Sequence, residues 1–238
     1  MPILTIYPDP GTGATTVDGF VERGAVNEAM AVIRAGAGTN SHDMNVIGDF
    51  VLMVTNAVGP NTYDDLIRSI FTFDTSPLTL RDIVTAATLT FNTAGRVPND
   101  NFGTSICLVD ATPANDNAIV NADYSTVGTT RYAADVALAG IGIGPTYFFT
   151  LNIAGSASIN RGVGAITRFS QAFDWDVDNT DPPGWAGATI DDAGGVYADT
   201  PGTASDPALA ITYSSASRKL FVMNKYQGRP GGLFRDNS

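Results

Sequence analysis

Arg68-Ser69-Ile70-Phe71-Thr72-Phe73-Asp74 and, after a turn, Thr88-Leu89-Thr90-Phe91-Asn92 decide the fold class. In the second stretch Leu89 and Phe91 share one side, and Thr88, Thr90 and Asn92 share the other. Side chains of a strand alternate between its two faces, so this pattern predicts one packed face and one polar face. In the first stretch Ile70, Phe71 and Phe73 do not all fall on one side, which predicts a strand buried on both. Working outward, residues 3–7, 17–23, 30–34, 50–54, 66–74, 105–110, 148–153 and 208–213 read as further strands or their continuations. Most prolines lie between these runs, where a missing backbone donor costs no ladder bond. Residues 117–124 and 156–160 read as short helical turns. The expected fold is all-β, a jelly-roll-type β-sandwich with short helical turns. One domain is expected over 1–214, followed by a basic C-terminal arm over 215–238, in which residues 220–223 could add a strand.

The chain has 238 residues, enough for one large sandwich with a full core. Its charged fraction is 16%, below the ~25% of ordinary globular chains. Thr, Ala, Asn, Ser and Gly make up the difference, a mixture suited to strands and tight turns. Cys107 is the only cysteine and sits in an apolar run, so it reads as a small buried residue. His42, the only histidine, lies in a polar stretch. A Cys/His or Ser/His/Asp catalytic set is therefore not expected, and no Gly-x-Ser-x-Gly elbow occurs. The N-terminus lacks a basic region followed by an apolar core, so synthesis in a host cytoplasm without a signal peptide is expected.

Charge is unevenly divided. Residues 1–214 hold 8 Arg and no Lys against 23 Asp and Glu, a formal −15. Residues 215–238 hold Arg218, Lys219, Lys225, Arg229 and Arg235 against Asp236 alone, a formal +4. An acidic body repels phosphates, which argues against nucleic acid as a partner. The short basic segment reads as an arm that docks on an acidic partner.

The densest carboxylate cluster is Asp174-Trp175-Asp176-Val177-Asp178-Asn179-Thr180-Asp181. Asp174, Asp176 and Asp178 could offer oxygens to a structural Ca²⁺; no other cofactor is expected. Asn179 and Trp185 stand where an EF-hand loop needs Gly and an acid, so it is not an EF-hand. The alternative is a solvated or partner-binding acidic loop. Trp175, Trp185 and Tyr197 lie in or beside loops, and aromatic faces stack on sugars, which makes them candidate ligand residues. The competing reading has both tryptophans sealing one end of the sandwich. Asp191-Asp192 reads as turn-like. A carboxylate-pair glycosidase is the weakest reading, since Glu22 and Glu28 are the only glutamates and neither has an obvious partner.

Residues 68–78 and 83–91, together with 18–21 and 31–36 upstream and 206–213 downstream, resemble DNRLRE-type domains, as found in environmental bacteriophage structural proteins. The resemblance implies a jelly-roll sandwich related to carbohydrate-binding modules and carries no active site. Residues 174–184 and 215–238 depart from it. The expected function is a non-enzymatic bacteriophage virion structural protein on the particle exterior, a capsid decoration (cement) protein or appendage subunit. Its expected partners are other virion proteins and further copies of itself, in symmetric assemblies that include closed rings such as trimers. The alternative is a tail-fibre or receptor-binding adhesin for host surface glycans. Neither reading needs a membrane.

Overall fold

A computed structural model describes residues 1–9, 15–43, 47–55, 59–93, 98–142, 146–182, 184–198 and 205–215. These form an all-β sandwich of two antiparallel layers with short helices. In chain order the strands are β1 (Ile3–Ile6), β2 (Asp18–Arg23), β3 (Glu28–Ala29), β4 (Asn40–Asp43), β5 (Ile47–Thr55), β6 (Thr62–Asp74), β7 (Asp82–Asn92), β8 (Ser105–Ala111), β9 (Val127–Arg131), β10 (Val136–Ala137), β11 (Thr146–Thr150), β12 (Ile166–Phe173), β13 (Ile190–Val196) and β14 (Ala208–Ser215). The helices are α1 (Met30–Ala35), α2 (Ile153–Ala157) and α3 (Asp174–Val177), with 3₁₀ turns at Asn121–Thr126 and Leu138–Gly140.

The small sheet runs β1-β14-β7-β11. Its inward residues include Ala87, Leu89, Phe91, Phe149, Leu209 and Ile211, all buried. The outward residues Thr88 and Thr90 are half-buried, and Phe148 is exposed. This is the alternation expected of β7, carried across the sheet by register: Leu89 lies opposite Leu209 and Phe149.

The large sheet runs β10-β8-β12-β6-β2-β4. β6 is its spine. One edge pairs with β2; the other pairs with β12 over its second half and with β5 over its first half. Eight consecutive residues of β6, 66–73, are buried, so the strand is covered on both faces as its sequence predicts. Phe71 points inward onto Phe91 of the small sheet (centroids 4.8 Å apart) and Phe50 (5.6 Å). The other face lies under α1, the 3₁₀ turn Asn121–Thr126 and α3. There Thr72 Oγ1 accepts from the Val17 amide (2.6 Å) and donates to the Asp116 carbonyl (2.8 Å).

Two segments differ from expectation. Residues 30–34 fall in α1 rather than a strand. Met30 and Ile33 are buried while Ala31 and Val32 are exposed, a spacing of three that suits a helix lying on the sheet. Asp191 and Asp192 lie inside β13 rather than in a turn, because β13 pairs with β5 along its length and the Asp191 carboxylate is satisfied locally. It accepts from the Asn101 amide (2.7 Å) and from Thr104 Oγ1 (3.1 Å).

Candidate functional site

β6 carries an arginine in the middle of its buried run. Arg68 points to the outer face, where leaving a guanidinium unpaired would be prohibitive. α3 supplies the partner: Arg68 Nε and Nη2 donate to Asp176 Oδ2 (2.7 Å) and Oδ1 (2.8 Å), a bidentate pair. Arg68 Nη1 also donates to the Tyr124 carbonyl (2.8 Å), and Nη2 to the Arg34 carbonyl (3.2 Å). The guanidinium lies 4.2 Å from the centre of the Tyr124 ring, whose hydroxyl donates to the Ile33 carbonyl (2.9 Å). The Asp176 charge beside it holds Arg68 protonated despite the burial that opposes it.

A second arginine shares that carboxylate. Arg34, in the last turn of α1, has its Nε 3.4 Å from Asp176 Oδ1. Its Nη1 donates to Asn179 Oδ1 (2.8 Å), and its Nη2 to the carbonyls of Thr180 and Trp175. Arg34, Arg68, Asp176, Asn179, Ser125 and Thr129 line a cavity of about 290 Å³ on the outer face of the large sheet. That is the lower end of the range for small-molecule sites. The arrangement can present polar groups to a small polar ligand.

The structure places the sequence-derived candidates as follows. Trp175 is 4% exposed and stacks on Phe173, ring centres 5.0 Å apart. Tyr197 is fully buried against Phe50, and its hydroxyl donates to the Asp49 carbonyl (2.7 Å). Neither presents a ring face to solvent, which corrects their reading as sugar-stacking residues. Trp185 is partly buried against the core, and its Nε1 donates to the Thr62 carbonyl (3.0 Å). Trp175 and Tyr197 serve packing, and Trp185 keeps part of its surface open.

Of the three aspartates of the calcium reading, Asp174 and Asp178 line one pocket with Asp181, and Asp176 lines another. Asp176 is held by Arg68. Asp178 takes a bidentate pair from Arg131 Nη1 and Nη2 (2.7 and 3.0 Å), which pulls its pKa below the usual carboxylate range. Asp174 Oδ1 accepts from the Trp175 amide (2.9 Å). The alternating spacing that looked like converging ligands is wound into α3, which sends the three carboxylates to different partners. Among the described residues no group of three or more His, Cys, Asp or Glu could hold a metal ion. The arm residues Arg218, Lys219, Lys225, Arg229 and Arg235 lie outside the described residues.

Cys107 is buried on β8, where desolvation pushes its thiol far above the normal range. His42 is exposed on edge strand β4. Three strands lie between them, a separation of about 19 Å at the usual strand spacing. Arg34 was missed in the sequence as a site residue. The signal for Arg68 was present: a charged residue within an apolar run must have a buried partner.

No family model matches the chain, and no curated protein matches it.

Proposed function

We propose that the chain is a non-enzymatic structural protein of the exterior of a bacteriophage particle, a capsid decoration or appendage subunit built on a jelly-roll sandwich of the DNRLRE type. The observation that carries this reading is the segregation of charge. A formal −15 over residues 1–214 gives way to +4 over 215–238, and β14 carries the described part of the sandwich up to Ser215. An acidic body keeps the subunit soluble and off nucleic acid, while a short basic segment supplies a contact to an acidic neighbour. The pairing of ionisable groups also suits a scaffold: Arg68, Arg131 and Arg168 are each tied to an aspartate.

Deleting residues 216–238 tests the reading. Binding of the truncated chain to stripped particles is expected to fall to background, and binding of the full chain is expected to weaken as salt is raised. Undiminished binding after truncation would overturn the docking-arm assignment, and absence of the chain from purified particles would overturn the virion reading.

A second reading, an adhesin for host surface glycans, is favoured by the polar cavity at Arg34 and Asp176. With Trp175 and Tyr197 buried, it rests on hydrogen bonding rather than stacking. A glycan array separates the two.

A further inference from the structure

We infer that the outer face of the small sheet is a self-association surface whose occupant is the same face of a second copy of this chain. The inference deepens the structural-subunit reading and rests on it only for where the assembly is used.

The argument begins with what these strands lack. β1, β7, β11 and β14 together carry a single charged side chain, Asp82. Asp82 is 3% exposed, accepts from Ser215 Oγ (2.6 Å) and the Thr79 amide (2.7 Å), and faces away from solvent. The strands therefore add no exposed charge of their own to the outward face, which exposed Arg161 borders beside Ile83 and Thr85, in a chain whose formal net is −11. Its centre is built from short side chains, Thr88, Thr90 and Ala210, in register across adjacent strands. Its two edge strands add apolar bulk: Phe148 on β11 is 59% exposed and Ile3 on β1 is 67% exposed. The large sheet's outer face, by contrast, is already covered by helices.

Charge selects the occupant. A charged partner would find nothing on the strands themselves to complement it. Two copies of an acidic chain repel wherever their carboxylates meet, and a face-to-face approach of this sheet brings no like charges into contact. An isologous contact also requires self-complementarity, which a flat, uncharged, small-residue surface satisfies. Size sets the strength. The four strands hold 4, 11, 5 and 8 residues, and at about 4.8 Å between strands and about 3.4 Å per residue they give a footprint of roughly 450 Å² per copy. The pair buries roughly 900 Å², just under the ~1,000 Å² of a specific interface, so weak association in the high micromolar range is expected.

Sedimentation of the full chain across the micromolar range tests this, with Thr90→Glu at the centre of the face and Thr130→Glu as a charge-matched control at an exposed position of β9. The wild type is expected to self-associate at both low and high salt. Thr90→Glu should raise the dissociation constant about tenfold or more, because it sets like charges opposite one another, and Thr130→Glu should leave it unchanged. If Thr90→Glu does not fold, Phe148→Ser on the edge strand carries the test with the same expectation. A wild type that stays monomeric, a Thr90→Glu protein that associates normally, or equal loss in both glutamate variants would overturn the inference. So would association abolished by salt, which would assign it to the basic segment instead. These outcomes are read on free protein, so they leave particle attachment to be judged separately.

Discussion

Thr72 and Thr90 both point away from the sandwich interior, one from each sheet, and their surroundings have little in common. Thr90 stands on the small sheet between Phe148 and Ala208, half in water. Thr72 stands on the large sheet, fully buried, its hydroxyl tied to Val17 and to the Asp116 carbonyl. A sheet with one bare face can be written as simple alternation. A sheet covered on both faces must carry its polar groups inside, and each must be satisfied there. The large sheet does this with Arg68, Ser170 and Thr72, α3 adding Asp176; the small sheet has few such groups. They are Asp82 at the start of β7, held by Ser215 and Thr79, and Tyr147, whose hydroxyl donates across the core to Gln171 Oε1 of the large sheet (2.9 Å).

The largest expected effect follows from cutting the buried pair. Asp176→Ala leaves Arg68 without its bidentate partner and Arg34 without its ion pair, and is expected to cost about 3–5 kcal/mol in urea unfolding. An Asp176→Ala protein within 1 kcal/mol of wild type, roughly the cost of an exposed pair, would mean that the outer covering of the large sheet is loose enough for water to replace the carboxylate. The contrast between the sheets would then be much weaker.

A matched substitution sharpens the contrast directly. Thr72→Val and Thr90→Val make the same chemical change on the outer faces of the two sheets. The first leaves the Val17 amide and the Asp116 carbonyl short of a buried partner and is expected to cost about 1–3 kcal/mol. The second removes a hydroxyl that water already serves, with an expected change within about 0.5 kcal/mol. Equal costs measured by thermal unfolding would show that the small sheet's face is not bare in solution, which would itself point to a partner lying on it.

Legibility in the sequence followed the same division. The alternation of residues 88–92 and the two-sided burial of residues 66–73 were both readable, because strand periodicity is local and the apolar side chains report it directly. Residues 30–34 misled because Val32 and Ile33 are β-branched and favour strands, and six residues are too few to display a helical period; the helix exists because tertiary packing selects Met30 and Ile33. β13 was hidden because Asp191-Asp192-Ala193-Gly194-Gly195 has turn composition, and its pairing with β5 and the ligation of Asp191 by Asn101 and Thr104 are long-range. The pair at the centre of the candidate site joins residues 108 positions apart. An arginine inside an apolar run announces that it needs an acid, but a chain rich in aspartate does not say which one. The aromatics bracketing the acidic cluster were legible as residues and illegible as surfaces, since exposure depends on what else packs against them.

The smallest expected effect concerns pH, and here the sheets differ in sign. Asp18 on β2 lies opposite Phe71 and so faces the interior, where its Oδ2 accepts from the Ala198 amide (2.7 Å). Burial raises its pKa well above the usual carboxylate range, with the nearby Asp43 and Asp206 charges adding to the rise and the Ala198 bond opposing it. Asp191 is raised by burial as well. A raised carboxyl binds its proton more tightly in the folded chain than in the unfolded one. Its contribution to stability is thus complete below the unfolded value, about 3.9, and is lost as pH rises through the folded value. Asp82 of the small sheet is lowered by Ser215 and Thr79, so its contribution is complete above about 3.9 and is lost as pH falls through its folded value. Unfolding followed from pH 7 down to pH 4 should therefore show stability rising as Asp18 and Asp191 take up protons. Asp18→Asn should stabilise the chain at pH 7 by on the order of 1 kcal/mol and flatten that rise. The gain is limited because Asn keeps an acceptor for Ala198 but brings an amide that needs its own partner. A wild type whose stability is flat across this window, or an Asp18→Asn protein with the same slope, would mean that the carboxyl reaches water in solution. In that event the large sheet's inner face would not be closed at Asp18.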